Sequence, residues 1–495
     1  MNRRNILLLI LVLLLGTSLR FYSLDKESFW RDEGATGIAV KKYSALQILK
    51  NVEEQGQFLP DYYSYDDDLP LYYILLSAWA GIFGISDYSF RAFSAFFGVL
   101  ALTTLYYLAK KLFDEKVALL STFLASINLI ILWYAQEARQ YSYLLFLSLL
   151  SVIFLLRMLE EKKTKYAVGF AVTNAFIVYT HFPWVMFMTF EGVYALYFMY
   201  KNHNPKKNLK LNLKPHFRTI AAFFAVGIMY LTIILRAFTT GTNTVELYGR
   251  PDIMQIAKFT LQLSSWLYPS ESMLQKIYAF SLDFKLFEWI LIFSVVLTSI
   301  LLTTLFLFGI FKTYKKESTI FLCFAFFFPL AFALILSYTH PIVTVFQIKQ
   351  LIYIIPVFLI LASVGCFNTK YSKAIIIAIA MLSIVPIHAY YANVDKTQFR
   401  EAVDFMKGNE LILVHKKSAQ ATFKYYYGEK PNVIGVADPD EMKSNLKNVD
   451  SFWMLFTSSK YSQYEKAMKE ELLRTYRITE TKNFYEIDLI HYKKK

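Results

Sequence analysis

Only two cysteines occur in the 495 residues of this chain. Cys323 and Cys366 both sit in or beside apolar runs, so neither a disulfide framework nor a thiolate metal centre is expected. The apolar runs are themselves nearly free of Asp and Glu, with Glu191 the main exception. Secondary transporters commonly carry ionisable residues at mid-membrane, so this scarcity weighs against that class. The C-terminal region has no Gly-rich phosphate loop and no Ser or Cys nucleophile signature. No small-residue cleavage site follows Met1-Asn2-Arg3-Arg4 and the apolar stretch Ile6 to Leu15. A retained first span with a cytoplasmic N-terminus is therefore expected, not a signal peptide.

What the chain has in abundance is apolar length: 56% of residues are hydrophobic and 18% aromatic. Run after run reaches about 20 apolar residues, enough to cross ~30 Å of hydrocarbon. The runs are 5–24, 88–110, 117–135, 140–158, 165–181, 183–200, 217–238, 286–311, 318–338, 350–367 and 373–391. The net charge of +14 does not point to nucleic acid, because the Lys and Arg lie in short connectors between apolar runs.

Run 69–86 is short and ambiguous, opening on Leu69-Pro70 and containing Gly81 and Gly84. If it does not cross, the basic connectors at Lys110-Lys111, Arg157 to Lys165, Lys201 to Arg218, Lys312 to Lys316 and Lys370 to Lys373 all fall on the side of Arg3 and Arg4. The positive-inside bias therefore makes 69–86 a juxtamembrane or re-entrant helix. The expected fold is a polytopic α-helical membrane protein with about 11 transmembrane helices plus juxtamembrane helices.

The membrane domain is expected over 1–393, with outward loops 30–68 and 239–285. Residues 394–495 read as a small extracytoplasmic α/β domain. Strand-like runs there are Leu411 to Val414 and Trp453 to Phe456, with a closing strand at Asn483 to Leu489. Helix-like stretches are Gln398 to Met406, Ala419 to Tyr427 and Tyr461 to Leu473. A stabilising or acceptor-docking cap is the favoured reading of this domain.

The candidate chemistry gathers at the outward face. Trp30-Arg31-Asp32-Glu33 follows directly on the first span. A carboxylate at the membrane surface on a rigid helix end can serve as general base for a hydroxyl, a poor nucleophile; otherwise the pair is a solvated helix terminus. A polyprenyl-phosphate sugar suits so many spans, because its tail stays in lipid while its sugar faces the outer loops. Positive charge for its phosphate is available from Arg139 and Lys349. The plainer readings are an ion pair with Glu137 for Arg139 and snorkelling for either. Arg20, late in the first span, reads as a snorkelling side chain.

His181, ending a span among aromatics, is more simply a hydrogen-bonded structural residue than a ligand or base. The tyrosines of 57–73, Tyr72 among them, mostly belong to an interfacial belt, although some can stack on sugars. Asp66-Asp67-Asp68 offers oxygens to a divalent cation but lacks the spacing of a specific loop. No metal ligand is assigned, and a divalent cation is the only cofactor the chain suggests.

Five segments resemble the dolichyl-phosphate-mannose–protein mannosyltransferase-like family of GT-C membrane glycosyltransferases. They are Leu19-Arg20-Phe21-Tyr22 with Trp30-Arg31-Asp32-Glu33, Pro70-Leu71-Tyr72-Tyr73, Arg91 to Leu100, Tyr134 to Tyr141, and Tyr179-Thr180-His181-Phe182. The likeness is densest over 19–200 and returns around Lys349 to Pro356. It implies inverting transfer of a sugar from a polyprenyl-phosphate donor to a protein, lipid or cell-envelope glycan hydroxyl at the outer face.

It also implies Asp32 as base and Glu33 as the residue positioning substrate or backbone beside it. Glu137 would be a second acidic contact and Arg139 an organiser of the carrier phosphate; Tyr141, His181, Lys349, Tyr72 and Asp68 are further candidate contacts of this chain, and no role of the family's His is carried over to Asp68. Lys349 stands where the family often has Arg, so it lacks the guanidinium fork. Asp68 and Leu69 replace the family's usual His and first Pro. The alternative is a multi-pass transporter or a carrier-binding protein without transferase activity.

Overall fold

The computed structural model describes residues 2–55, 70–181, 184–202, 216–240, 250–264, 286–339, 346–406, 408–457 and 463–495. Their helices are α1 (Arg3–Phe21), α2 (Arg31–Lys42), α3 (Ala45–Gln55), α4 (Pro70–Phe83), α5 (Asp87–Leu112), α6 (Glu115–Ile127), α7 (Leu129–Ala135), α8 (Tyr141–Glu161), α9 (Thr164–Val178) and α10 (Val185–Lys201). Then come α11 (Phe217–Thr240), α12 (Ile253–Ser264), α13 (Leu286–Thr313), α14 (Glu317–Thr339), α15 (Ile354–Phe367) and α16 (Ser372–Ala392). Among the described residues six helices are long and apolar enough to cross a membrane, or seven if α6 and α7 form one bent span. The protein is a multi-pass, mostly helical membrane protein with a small C-terminal sheet domain.

The helices run between two ends of contrasting chemistry. At one end the basic connectors meet acids and carbonyls: Lys110 lies 3.9 Å from Glu115, Lys201 3.2 Å from Glu317, and Arg218 donates to the Lys162 carbonyl at 2.7 Å. The acid motif of α2 lies at the other end. Helix α4 has 14 residues, too few for a straight crossing of ~30 Å at 1.5 Å per residue. Its first turn bonds the Tyr179 carbonyl through Leu71 N at 3.2 Å, and Asp87, which opens α5, accepts from Tyr426 at 2.6 Å. Both ends of α4 thus lie at the acid end.

The expected continuous span 117–135 is instead broken. Asn128 caps the second segment, its Oδ1 accepting from Ile131 N at 2.9 Å, and the two segments bend by 62°. The break strands carbonyls at the end of α6, and Arg20 satisfies them. Its guanidinium donates to Ser126 O and Ala125 O, both at 3.2 Å, and to Gly16 O at 3.0 Å. Arg20 is fully buried and does not snorkel. A guanidinium inside a bundle is held where several carbonyls share its charge.

Helices α13 and α15 meet through Gly309 and Gly365. A Cβ on Gly309 would lie 2.1 Å from Leu361 O, and one on Gly365 would lie 1.9 Å from Leu305 O. Only glycine allows this approach of backbones.

The C-terminal sheet contains β1 (Leu411–His415), β2 (Val433–Val436), β3 (Ser451–Thr457), β4 (Tyr476–Phe484) and β5 (Ile487–Lys494) in the order β2-β1-β3-β5-β4. The first three are parallel, and β5 is antiparallel to both β3 and β4. Helices α17 (Phe399–Phe405), α18 (Gln420–Tyr427), α19 (Pro439–Asn445) and α20 (Gln463–Thr475) cover the sheet. Strand β3 is buried on both faces: Phe452, Met454 and Phe456 enter one core, Trp453 and Leu455 the other. This explains its continuous apolar run.

The expected closing strand 483–489 is borne out in part: Asn483 and Phe484 end β4 and Ile487 to Leu489 open β5, with a hairpin turn between them. Glu486, at φ 58°, makes the left-handed corner.

Candidate active site

Helix α2 begins with Asp32 and Glu33 in its first turn and ends on Lys41 and Lys42, a charge order that complements the helix dipole. The two adjacent acids have opposite environments. Asp32 keeps 18% side-chain exposure, whereas Glu33 has none.

Glu33 is the centre of a buried knot. Its Oε1 accepts from Arg91 Nε and from Ala138 N, both at 2.8 Å; its Oε2 accepts from Arg91 at 2.7 Å and from Lys396 Nζ at 3.0 Å. Arg91 spends its remaining N–H groups on the carbonyls of Leu24 (2.7 Å), Glu27 (2.7 Å) and Ser28 (3.2 Å). All five guanidinium donors are therefore used, and the Phe29 ring lies 5.0 Å from the guanidinium carbon. Burial pushes the Glu33 carboxyl up, but Arg91, Lys396 and the Ala138 N–H outweigh it and bring the pKa down to about 2.

Around Asp32 the charges are arranged more openly. Arg31 Nε lies 3.2 Å from its Oδ1. Burial raises the Asp32 carboxyl, and the Arg139, Arg31 and Lys349 charges more than reverse this, leaving it below its ordinary value. Arg139 is buried, its guanidinium 3.3 Å from both Thr36 Oγ1 and Tyr73 Oη. The snorkelling alternative for Arg139 is thereby removed.

The turn Gln136 to Gln140 joins α7 to α8 and brings in Glu137, which is 1% exposed. Burial raises the Glu137 carboxyl to about 7; Lys396 and Arg139 oppose the rise, while Glu33 and Asp32 add to it. Its Oε2 has no hydrogen-bond partner among the described residues.

Most of the residues singled out in the sequence converge here. The Tyr141 ring is 6.4 Å from that of His181, and His181 Nε2 is 2.8 Å from Gln350 Oε1, next to Lys349. Tyr72 does not present a free ring for a sugar. It is 1% exposed, packs edge-on against Tyr73 and Phe93, and its hydroxyl lies 3.5 Å from Ser94 Oγ. Asp68 and the rest of the acidic run lie outside the described residues. Among the described residues no three His, Cys, Asp or Glu side chains gather as a metal would require.

Sequence reasoning missed Lys396, and it quoted Arg91 without giving it a partner. The C-terminal domain also packs on α2. A Cβ on Gly34 would fall 2.1 Å from Thr422 Oγ1, and Thr422 donates to Arg31 O at 3.0 Å.

Residues 67–229 match the family described as dolichyl-phosphate-mannose-protein mannosyltransferase. The fold is that of ArnT from Cupriavidus metallidurans, solved in the apo state and bound to undecaprenyl phosphate. The TM-score is 0.58 at 10% identity, over 98% of this chain and 97% of ArnT. The Archaeoglobus fulgidus oligosaccharyltransferase in its apo form aligns at a TM-score of 0.53 and 12% identity, over 91% of this chain and 69% of that protein. This chain shares the fold of these two proteins, and its likeness to the mannosyltransferase family model is confined to residues 67–229. No curated protein matches its sequence. The family match covers Arg91, Glu137, Arg139 and His181 but begins after α2, so the placement of Asp32 rests on the geometry above.

Proposed function

We propose that this GT-C-fold chain transfers a sugar, with inversion, from a polyprenyl-phosphate donor to an acceptor hydroxyl of a protein, lipid or cell-envelope glycan. Asp32 is the general base. The observation that carries this reading is the contrast among the three carboxylates. Glu33 and Glu137 are sealed, whereas Asp32 is partly exposed and held in its charged form by three cations.

In the step, the acceptor O–H gives its proton to an Asp32 carboxylate oxygen. The freed oxygen pair forms a bond to the sugar C1 from the face opposite the phosphate. The C1–O bond breaks, and its electrons leave with the polyprenyl phosphate. A positioned base of this kind contributes typically ~10²–10⁴-fold. Arg139, with Lys349 nearby, suits the phosphate that leaves. Glu33 then acts as a positioning residue, because its oxygens are already occupied by Arg91, Lys396 and Ala138. ArnT bound to undecaprenyl phosphate supports a carrier of this chemistry on the same fold.

The gathering of basic connectors at one end supports a cytoplasmic N-terminus, with the site and the domain over 394–495 on the extracytoplasmic side of the membrane domain over 1–393. A tag after Lys495 should be reachable from outside and one near Lys206 should not. The direct test compares the glycans of cells making the wild-type protein with those making Asp32→Asn at equal abundance, by mass spectrometry. Loss of the added sugar is expected, and retained transfer would remove Asp32 as base.

A further inference from the structure

Lys396 is a buried lysine at the start of the C-terminal region, and removing such a charge from water costs several kcal/mol unless partners compensate it. Its ammonium donates to Glu33 Oε2 at 3.0 Å and to the Gln136 carbonyl at 3.4 Å, and lies 5.2 Å from the centre of the Trp133 ring. Glu33 does not need it for neutrality, because Arg91 already grips that carboxylate through two nitrogens. The second cation is therefore surplus at Glu33. Its charge also acts on the carboxylates of Glu137 and Glu27, and the Glu137 Oε2 is buried and without a hydrogen bond among the described residues.

We propose that Lys396 is a positioning residue of the transfer site: carried in by the C-terminal region, it clamps the Gln136-Glu137 turn onto Glu33 and sets the charge state of Glu137. The site is then incomplete without the segment that follows the last membrane helix. This rests on the glycosyl-transfer reading, but its primary readout does not.

The groups acting on Glu137 are Lys396 from the C-terminal region, Glu33 and Asp32 from α2, and Arg139 from its own turn; the phenols of Tyr134 and Tyr72 also feel its charge. Lys396 in turn feels Arg91, Glu33, Glu137 and Glu27. Of these, Lys396 is the strongest opposing influence on the Glu137 proton after burial itself. Removing its charge must make that proton harder to lose.

The test is an infrared pH titration of the carboxylic-acid carbonyl stretch in the full-length protein in lipid nanodiscs, with Glu137→Gln identifying the band. Lys396→Met should move the midpoint upward by about one pH unit or more. Lys396→Arg should leave it near the wild-type position. Transfer by Lys396→Met should lose activity with its pH profile displaced in the same sense. An unmoved midpoint, or a rate lowered equally at every pH, would make Lys396 a mere strut and overturn the proposal. So would a titration that Glu137→Gln leaves intact.

If Lys396→Met does not accumulate, Lys396→Gln carries the same expectation, since it keeps a hydrogen-bonding head without the charge. The infrared shift requires no turnover. A transfer-competent Asp32→Asn would therefore sink the general-base reading without touching this result, and an unmoved band would do the reverse.

Discussion

Glu33 and Glu191 are both fully buried, and their surroundings could hardly differ more. Glu33 accepts four hydrogen bonds, three of them from the side chains of Arg91 and Lys396. Glu191, deep in α10, accepts from Ser151 Oγ at 2.7 Å through one oxygen, and its other oxygen has no hydrogen bond among the described residues. Ser151 is in turn held by Asn174 Nδ2 at 2.7 Å. The first carboxylate is an ionic rivet that joins α2, α5, the turn after α7 and the C-terminal region. The second is a polar tie among α8, α9 and α10 in which, among the described residues, no cation hydrogen-bonds the acid. Burial alone therefore does not identify the acids on which the site depends. The cations delivered to them do.

The sharpest way to break this contrast is Glu33→Ala, which leaves Arg91 and Lys396 buried without their carboxylate. Breaking a buried pair in this way costs about 3–5 kcal/mol. A correspondingly large fall in thermal stability is expected for the detergent-solubilised protein, and a change below about 1 kcal/mol would show that Glu33 is no rivet. The same group gives a pH signature. Its folded pKa, about 2, lies below its ordinary 4.5. Its stabilisation is therefore fully present above about pH 4.5 and is lost as pH falls toward 2. Stability curves of wild type and Glu33→Gln should accordingly converge at the acid end and separate above it.

Arg139 tests the open side of the same site. Its hydrogen bonds to Thr36 and Tyr73 leave it among the cations that act on Asp32, where the carrier phosphate is proposed to sit. A hydrogen bond to a charged group contributes about 1.5–3 kcal/mol. Arg139→Ala should weaken undecaprenyl-phosphate binding by about 10-fold or more in a titration with the purified protein. Unchanged affinity would return Arg139 to a structural role.

How much of this was legible in the sequence follows from the range over which each contact closes. Asp32 and Glu33 stood out because two acids directly follow a span, and the motifs around Glu137, Arg139 and His181 are each local. Lys396 could not be found that way, since it meets Glu33 across 363 residues and is preceded only by an ordinary domain start. Arg20 was misread for the same reason: the carbonyls it serves belong to a helix break more than a hundred residues away. Strand β4 was missed because it is an edge strand, exposed from Arg477 to Asn483, without the buried alternation that marks a core strand.

The smallest effect is expected where the contrast began. Glu191→Gln keeps the shape of the side chain and an oxygen that can accept from Ser151, and its new amide can donate where the carboxylate oxygen now makes no hydrogen bond. If Glu191 is a tie that needs no charge, thermal stability should shift by less than about 1 kcal/mol, and transfer should persist. A loss as large as that of Glu33→Ala would mean that the mid-bundle acid works as an ion. It would then have to meet a cation that the hydrogen bonds around Ser151 and Asn174 do not supply, and the distinction between the two glutamates would fail.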